Sequence, residues 1–279
     1  MSVTTHTEAG VEGLVAPQPP RSSGRHPAVT LALRAAGPVL LLAAWYAATA
    51  TGALTQDVLA GPQDVVNTFG ELWADGQLPE ALRVSVTRAG LGLLLGASAG
   101  LTLGVVSGFT RLGEELVDSS MQALRAIPFL ALTSLFIVWF GIEEASKILL
   151  IGVACTFPMY INVSSGVRNV DRKVVEAARS FGLGRLAVAR EVVLPGALPS
   201  IFAGLRLSTT LSVIALIAAE EINVTAGLGY LMARATDYLR TDILALCVLL
   251  YAVIGLAADL ALRLAERVTM PWRRAVTIR

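Results

Sequence analysis

The sequence predicts an all-α integral membrane protein with six transmembrane helices and both termini in the cytoplasm. Hydrophobic residues make up 54% of the chain and charged residues 15%, whereas about a quarter of a soluble domain is charged. Several apolar runs reach the ~20 residues that a helix needs to cross a bilayer. Arginine and lysine concentrate on the side that holds both termini, and loops with this bias stay in the cytoplasm.

The predicted domain organisation has three parts. The amino-terminal part is polar, contains several prolines and shows no helical periodicity, so we expect a flexible cytoplasmic tail. The carboxy-terminal part is short, basic and also expected in the cytoplasm. The parts are the flexible tail 1–27, the six-span transmembrane domain 28–267 and the basic tail 268–279.

Six apolar runs account for the spans in order. Pro128 and Pro158 fall inside the third and fourth runs and predict kinks there. In the sixth, Asp259 and Arg263 are four residues apart in the order that favours an ion pair on one helix face. The predicted spans are 28–53, 84–109, 120–141, 148–167, 199–222 and 243–264.

The segment between the first two spans predicts a short amphipathic helix. Pro62 can begin this helix and Gly76 can end it. Its apolar face, which includes Trp73, suits the outer surface of the membrane. Packing of the same face against the spans is the alternative.

The second span carries glycine at every fourth position. Small residues at this spacing form one helix face and let two backbones approach closely in lipid. The pattern therefore predicts tight helix packing and carries no information about a substrate. The glycines are Gly92, Gly96, Gly100, Gly104 and Gly108.

Two adjacent carboxylates, Glu220 and Glu221, lie near the far end of the fifth span. A carboxylate at the bilayer centre costs ~2.5–3.5 kcal/mol on insertion scales. Adjacent helical residues point ~100° apart, so the two cannot face one cavity. One interpretation makes one of them part of a gate or passage. The other makes them a helix end, solvated or paired with Arg234 or Arg240.

A row of hydroxyl side chains in the same span is a second candidate passage. It includes Ser208, Thr209 and Ser212. These hydroxyls can line a route for a polar solute. Alternatively, they can bond back to carbonyls of their own helix.

The sequence contains no recognisable catalytic or metal site. It has no phosphate-binding loop and no H-E-x-x-H motif, and both histidines, His6 and His26, lie in the tail. Cys155 and Cys247 lie in apolar runs and are predicted to be small buried hydrophobic residues. A net charge of +1 gives no argument for a nucleic-acid partner. An enzyme is therefore disfavoured, and any energy source has to come from a partner.

The longest polar interruption in the second half lies at 168–198. Asp171 can cap a helix, and Gly182 can supply the left-handed residue that ends it. A second short helix is expected from Arg185 until Pro195 breaks it. The segment thus predicts a helical hairpin at the face of the membrane.

This hairpin resembles the EAA loop of bacterial ABC importer permeases. Val192 stands where that family usually has isoleucine, which is a mild departure. The resemblance implies a coupling helix that docks on a separate cytoplasmic ATPase subunit, which binds the ATP and Mg, so that this chain needs no cofactor. The matching residues are Glu176, Ala177, Ala178, Gly182, Leu194 and Pro195.

The wider chain is similar to permeases for aliphatic sulfonates. The resemblance implies a MetI-like fold in the bacterial plasma membrane, working as a homodimer with two ATPase subunits and an extracytoplasmic binding protein. Nitrate, taurine and thiamine-precursor permeases share much of the pattern and remain alternatives. A secondary carrier or channel is more remote, because no internal inverted repeat is visible. The similar segments are 139–148, 157–171, 193–201 and 227–231.

Overall fold

The computed structural model describes residues 27–125, 127–221 and 225–271, which form helices joined by short turns without any strand. Most of both predicted tails, 1–26 and 272–279, and the predicted end of the fifth span at Ile222 lie outside the described residues. Two π-helical segments also occur, at Glu114–Asp118 and Ala189–Val193. The α-helices are α1 (Pro27–Ala50), α2 (Pro62–Ala74), α3 (Gln77–Phe109), α4 (Arg111–Gly113), α5 (Ser119–Arg125), α6 (Phe129–Phe140), α7 (Glu144–Arg168), α8 (Arg172–Ser180), α9 (Arg185–Val188), α10 (Leu194–Glu220), α11 (Leu228–Asp237) and α12 (Thr241–Thr269).

Within the described residues, four helical stretches are long and apolar enough to cross a membrane. They are α3, α7, α12 and the continuous helix Arg185–Glu220, which contains α9 and α10. Ala36–Ala50 in α1 and Ala131–Phe140 in α6 are shorter apolar helices. Much of the apolar surface of these helices is not covered by other parts of the chain. This is the organisation of a multi-pass membrane protein.

The third predicted span is broken rather than kinked. Helix α5 ends at Arg125 and α6 begins at Phe129, with Pro128 between them. Proline has no N–H to donate to the preceding turn and disfavours helical backbone in the residue before it. Pro128 therefore accounts for the interruption between the two helices.

Helices α3 and α7 form the closest contact of the bundle, and the glycine stripe makes it. A Cβ on Gly96 would lie 2.1 Å from the carbonyl oxygen of Gly152, and one on Gly100 would lie 2.5 Å from that of Thr156. No side chain fits at these positions, so the predicted role of the stripe in helix packing is confirmed.

The contacts also fix the directions of the long helices. Gly92 of α3 lies against Ile151 of α7, and Gly108 lies against Val167, so these two helices run parallel. The segment between Phe109 and Glu144 must then return to the end at which α3 began.

Helix α10 runs antiparallel to both α7 and α12. The Ser208 hydroxyl donates to the Cys155 carbonyl, whereas Gly166 faces Ser200, nearer the start of α10. On the other side, α10 and α12 are joined by Arg206 and Glu266, with 2.9 Å between Nη2 and Oε2. Helices α3, α7 and α12 therefore share one direction and α10 runs against them, so each end of the bundle collects a distinct set of loops.

We name these ends after α2 and α8. The α2 end holds the loop after α1, helix α2 and the start of α12, because the Thr241 hydroxyl donates to the Gln56 carbonyl over 2.5 Å. Helix α2 packs on the bundle through buried Val65 and Leu72. Phe69 and Trp73 stay exposed and stack on each other. The α8 end holds the predicted coupling loop and the segment that follows α3.

Candidate functional site

The predicted hairpin at 168–198 is present, and its first helix is capped as expected. The Asp171 carboxylate accepts a hydrogen bond from the Lys173 N–H over 2.9 Å. At the other end, the Gly182 N–H donates to the Arg179 carbonyl and the Leu183 N–H to the Ala178 carbonyl. Gly182 has a φ of 88°, the left-handed conformation that only glycine adopts without strain.

Pro195 does not break the second helix of the hairpin. The helix instead runs from Arg185 through the π-helical segment Ala189–Val193 and on through α10. A π-helical turn is wider than an α-helical turn, and this relieves the clash between the Pro195 ring and the preceding carbonyls. The second helix of the hairpin is therefore continuous with α10.

The hairpin has one packed face and one free face. Val175 packs against the apolar core at the α8 end. On the free face, Phe181 and Leu186 are 85% and 83% exposed on either side of the glycine turn. Of the residues predicted to couple, Glu176, Ala177 and Gly182 are exposed and Ala178, Leu194 and Pro195 are half-buried.

Glu220 and Glu221 lie in different environments, as their helical spacing requires. Glu221 is exposed, whereas Glu220 is fully buried. The cation beside Glu220 is Arg88 of α3, with 2.6 Å between Nη1 and Oε1. It is therefore neither Arg234 nor Arg240, the two partners suggested from the sequence. Arg240 instead pairs with Asp242 over 2.6 Å.

Arg88 is the centre of a buried charge cluster at the α2 end, with 1% of its surface exposed. Its Nε and Nη2 edge binds the Glu144 carboxylate over 2.6 and 2.5 Å, and its Nη1 binds Glu220. The Glu220 carboxylate also accepts from the hydroxyls of Ser85 and Tyr251 and from the Gly229 N–H. The cluster thereby ties α3, α7, α10, α11 and α12 together.

Sequence reasoning missed Arg88. The available signal was a lone arginine inside a predicted apolar span, which requires a partner there. The sequence could not identify that partner, because Glu220 is 132 residues away. Glu144 was also missed, since it looks like an ordinary loop acid before the fourth span.

The hydroxyl row of the fifth span is bonded within the protein. The Thr209 hydroxyl donates to the Leu205 carbonyl over 2.9 Å, and the Ser212 hydroxyl to the Thr209 carbonyl over 2.8 Å. Ser208 bonds across to the Cys155 carbonyl of α7 over 2.8 Å. All three side chains are buried; Thr209 and Ser212 bond back to their own helix, whereas Ser208 bonds to a neighbouring one.

A second polar cluster lies at the α8 end. Asp118 binds Arg168 over 2.9 Å and accepts from the hydroxyls of Ser107 and Tyr160. The Arg168 hydrogen bond lowers the pKa of the Asp118 carboxyl, outweighing the opposing effect of burial. The cluster joins the ends of α3 and α7 to the π-helical segment Glu114–Asp118.

Among the described residues, no three His, Cys, Asp or Glu side chains are grouped to bind a metal.

The chain matches known proteins over most of its length. Residues 92–269 match the family of binding-protein-dependent transport system inner membrane components. The chain is 43% identical to the putative aliphatic sulfonates transport permease protein SsuC of Escherichia coli, over 85% of this chain and 90% of that protein. It is 40% identical to the Bacillus subtilis protein of the same name, over 85% and 86%, and 33% identical to the E. coli taurine transport system permease protein TauC, over 85% and 88%.

Solved structures show the same fold. An inward-facing MetNI methionine ABC transporter superposes with a TM-score of 0.53 at 20% identity, over 66% of this chain and 93% of that one. An amino acid ABC transporter superposes with a TM-score of 0.58 at 18% identity, over 71% and 97%. This chain therefore belongs to the family of binding-protein-dependent transport system inner membrane components, as a MetI-like permease subunit of an ABC importer and not an ATPase itself.

Proposed function

We propose that this chain imports an aliphatic sulfonate. The observation that carries the proposal is its identity of 43% and 40%, over nearly full length, with two permeases named for aliphatic sulfonates. The more distant taurine permease supports the same substrate class, because taurine is itself a sulfonate. Taurine, nitrate and a thiamine precursor are the competing substrates.

The assembly that we propose contains two copies of this chain, two cytoplasmic ATPase subunits and an extracytoplasmic binding protein. One chain supplies half of a passage, and two-fold symmetry pairs identical faces. The exposed Phe181 and Leu186 support docking of the hairpin on the ATPase, because apolar side chains grouped on a surface mark interaction sites. ATP and Mg belong to the partner subunit.

For the topology, we propose six spans in the bacterial plasma membrane, with both termini and the α8 end in the cytoplasm. The parallel course of α3 and α7 supports a return crossing through α5 and α6. The basic residues support the orientation, because the α8 end carries more of them than the α2 end. At the α8 end they are Arg111, Arg168, Arg172, Lys173, Arg179, Arg185, Arg190, Arg263 and Arg267, and at the α2 end Arg83, Arg88, Lys147, Arg234 and Arg240.

Movement of the ATPase subunits is then coupled to the spans through the continuity of the second hairpin helix with α10. Closure of the ATPase subunits on ATP draws the two docked hairpins together. Because α9 continues into α10, this movement passes directly to a long helix whose far end carries Glu220 and the charge cluster. The passage changes from inward-open to outward-open, and the binding protein delivers the sulfonate at the α2 end.

Uptake in reconstituted vesicles tests this proposal. The chain is combined with its ATPase and binding protein, and ATP-driven entry of labelled ethanesulfonate is measured against excess unlabelled taurine or nitrate. We expect uptake that other alkanesulfonates inhibit and nitrate does not. Failure of ethanesulfonate to enter, or inhibition of its entry by nitrate, would overturn the substrate assignment, and transport without the ATPase would overturn the importer mechanism.

A further inference from the structure

Two cations at the α2 end share one carboxylate. Arg88 is 1% exposed and Lys147 is 7% exposed. The Oε1 atom of Glu144 lies 2.5 Å from Nη2 of Arg88 and 3.5 Å from Nζ of Lys147. In the described part of the chain, Lys147 makes no other ion pair. Glu144 is thus the bridge between a buried guanidinium and a buried ammonium.

The two edges of Arg88 are held very differently. Nη1 is fixed by Glu220, which is fully buried, and by the carbonyl of Ala226 over 2.7 Å. Among the described residues, the Nε and Nη2 edge donates its hydrogen bonds to Glu144 alone, and the Glu144 side chain is 56% exposed. Glu144 can turn into solvent and be hydrated there, whereas Glu220 would remain buried as an unpaired charge if it left Arg88. The Glu144 edge is therefore the one that can open.

The charges make the opened state attractive to an anion. With Glu144 in place, Arg88 and Lys147 are balanced by Glu144 and Glu220. When Glu144 turns away, one positive charge remains uncompensated among residues that exclude water, and such a charge is costly without a counter-ion. The first turn of α7 adds to the attraction, since a helix amino terminus favours anions.

We propose that the Nε and Nη2 edge of Arg88, together with Lys147, is a binding site for the sulfonate head group, which Glu144 keeps closed until the substrate arrives. A guanidinium edge donates two parallel hydrogen bonds to a sulfonate oxygen pair as it does to a carboxylate, and an ammonium adds a point charge. The site lies at the end where substrate is delivered. The identity of the anion rests on the proposed function, whereas the anion site itself does not.

Direct binding tests the site without relying on transport. The complex with the ATPase, without binding protein, is titrated calorimetrically with methanesulfonate at low ionic strength. Glu144→Gln removes the competing charge. We therefore expect this variant to bind methanesulfonate about tenfold more tightly than the parent, which corresponds to a difference in binding free energy of about 1.4 kcal/mol. The double variant Glu144→Gln/Lys147→Met should lose this gain. Neutral dimethyl sulfone, of similar shape, should bind to neither.

Glu143→Gln is the matched control, because Glu143 is the exposed neighbour of Glu144 and makes no ion pair in the described part of the chain. It should bind methanesulfonate like the parent. The proposed site is refuted if Glu144→Gln binds methanesulfonate no more tightly than the parent, or if Glu143→Gln gains as much affinity. It is also refuted if the double variant Glu144→Gln/Lys147→Met keeps the gain. Elution as an intact complex with a single cooperative melting transition shows that each variant has folded.

The outcomes also separate this site from the proposed function. Sulfonate uptake by the parent, combined with no gain in Glu144→Gln, overturns the site and leaves the function standing. Tight methanesulfonate binding by Glu144→Gln, in a complex whose parent transports no sulfonate, overturns the function and leaves an anion site of this chemistry.

Discussion

Arg88 brings a positive charge into the interior of the α2 end, where Glu220 and Glu144 bind its two edges. Burial of such a pair is not itself stabilising, because desolvation offsets the attraction. Loss of one partner is costly, however, since the other charge then stays buried and uncompensated. The arginine and Glu220 should therefore behave as a unit.

Arg88→Met should lower the stability of the purified permease strongly, by about 3–5 kcal/mol, because it leaves Glu220 buried without its cation. Glu220→Gln added to Arg88→Met should recover part of the loss, because no buried charge then lacks a partner. Thermal unfolding in detergent of both single variants and the double variant measures the coupling. Arg83→Met is the control, because the Arg83–Glu80 pair is exposed and its loss should change stability little. Strictly additive losses at positions 88 and 220 would contradict the account.

Asp118 makes a prediction about pH. Its folded pKa lies below the ordinary carboxyl value because of Arg168, so its stabilising contribution is fully present above the unfolded pKa, about 3.9. That contribution is lost only as pH falls through the lowered folded value. Asp118→Asn should therefore show the same loss of melting temperature at pH 8 and pH 5, and the difference should shrink only below about pH 4. Convergence of the two melting curves between pH 7 and pH 5 would count against this assignment.

At the scale of elements, α3 and α7 contact each other closely because the glycines of α3 that face α7 have no side chain. The backbones meet so closely that the glycine stripe cannot carry a Cβ facing α7. Packing of this kind replaces the hydrophobic effect, which does not hold helices together in lipid.

Gly96→Val should force α3 and α7 apart and cost about 1–3 kcal/mol or more as overpacking. Gly90→Val is a matched control on the same helix, because a Cβ at Gly90 meets nothing within 4 Å. Both variants change helix propensity equally. The comparison of their melting temperatures in detergent isolates the packing term. Equal melting temperatures would show that the close approach does not stabilise the bundle.

The elements that the sequence could predict are those with a local signal. Glycine at every fourth position, an apolar run, and an Asp and a Gly flanking a short helix each act within a few residues, and the structure follows them at α3, α7 and α8. The Asp259–Arg263 pair is likewise confirmed, over 2.6 Å. Pro195 shows the limit, because a π-helical turn several residues earlier absorbs a break that the proline alone would cause.

The candidate site shows a further limit. The cation that Glu220 binds could not be chosen from the sequence, because several arginines were available and only the packing of α3 on α10 and α11 selects Arg88. The packing of α7 on α10 likewise selects the Cys155 carbonyl, 53 residues away, as the acceptor for the Ser208 hydroxyl. Long-range pairing depends on the assembled bundle, and no local spacing encodes it.

At the scale of the whole molecule, the two ends carry different chemistry and are joined by one continuous helix. The α8 end presents basic residues and the free face of the hairpin. The α2 end presents α2, the loop after α6 and the Arg88 cluster. Helix Arg185–Glu220 runs from one to the other, and in our proposal it carries a force applied at the hairpin to the cluster. We propose that the ATPase applies this force at the hairpin.

The most direct test compares two glycines of the hairpin. Gly182 has a φ of 88° and Gly184 a φ of −68°, and a Cβ at either meets nothing within 4 Å. Valine in the left-handed conformation costs about 1–2 kcal/mol, so Gly182→Val should distort the turn without affecting the spans.

Substrate-stimulated ATP hydrolysis and uptake are measured side by side in the reconstituted complex, after membrane insertion of both variants is verified. We predict that Gly182→Val loses both activities together while Gly184→Val retains them. Parental transport by Gly182→Val, or equal loss in the two variants, would contradict the coupling role of the hairpin.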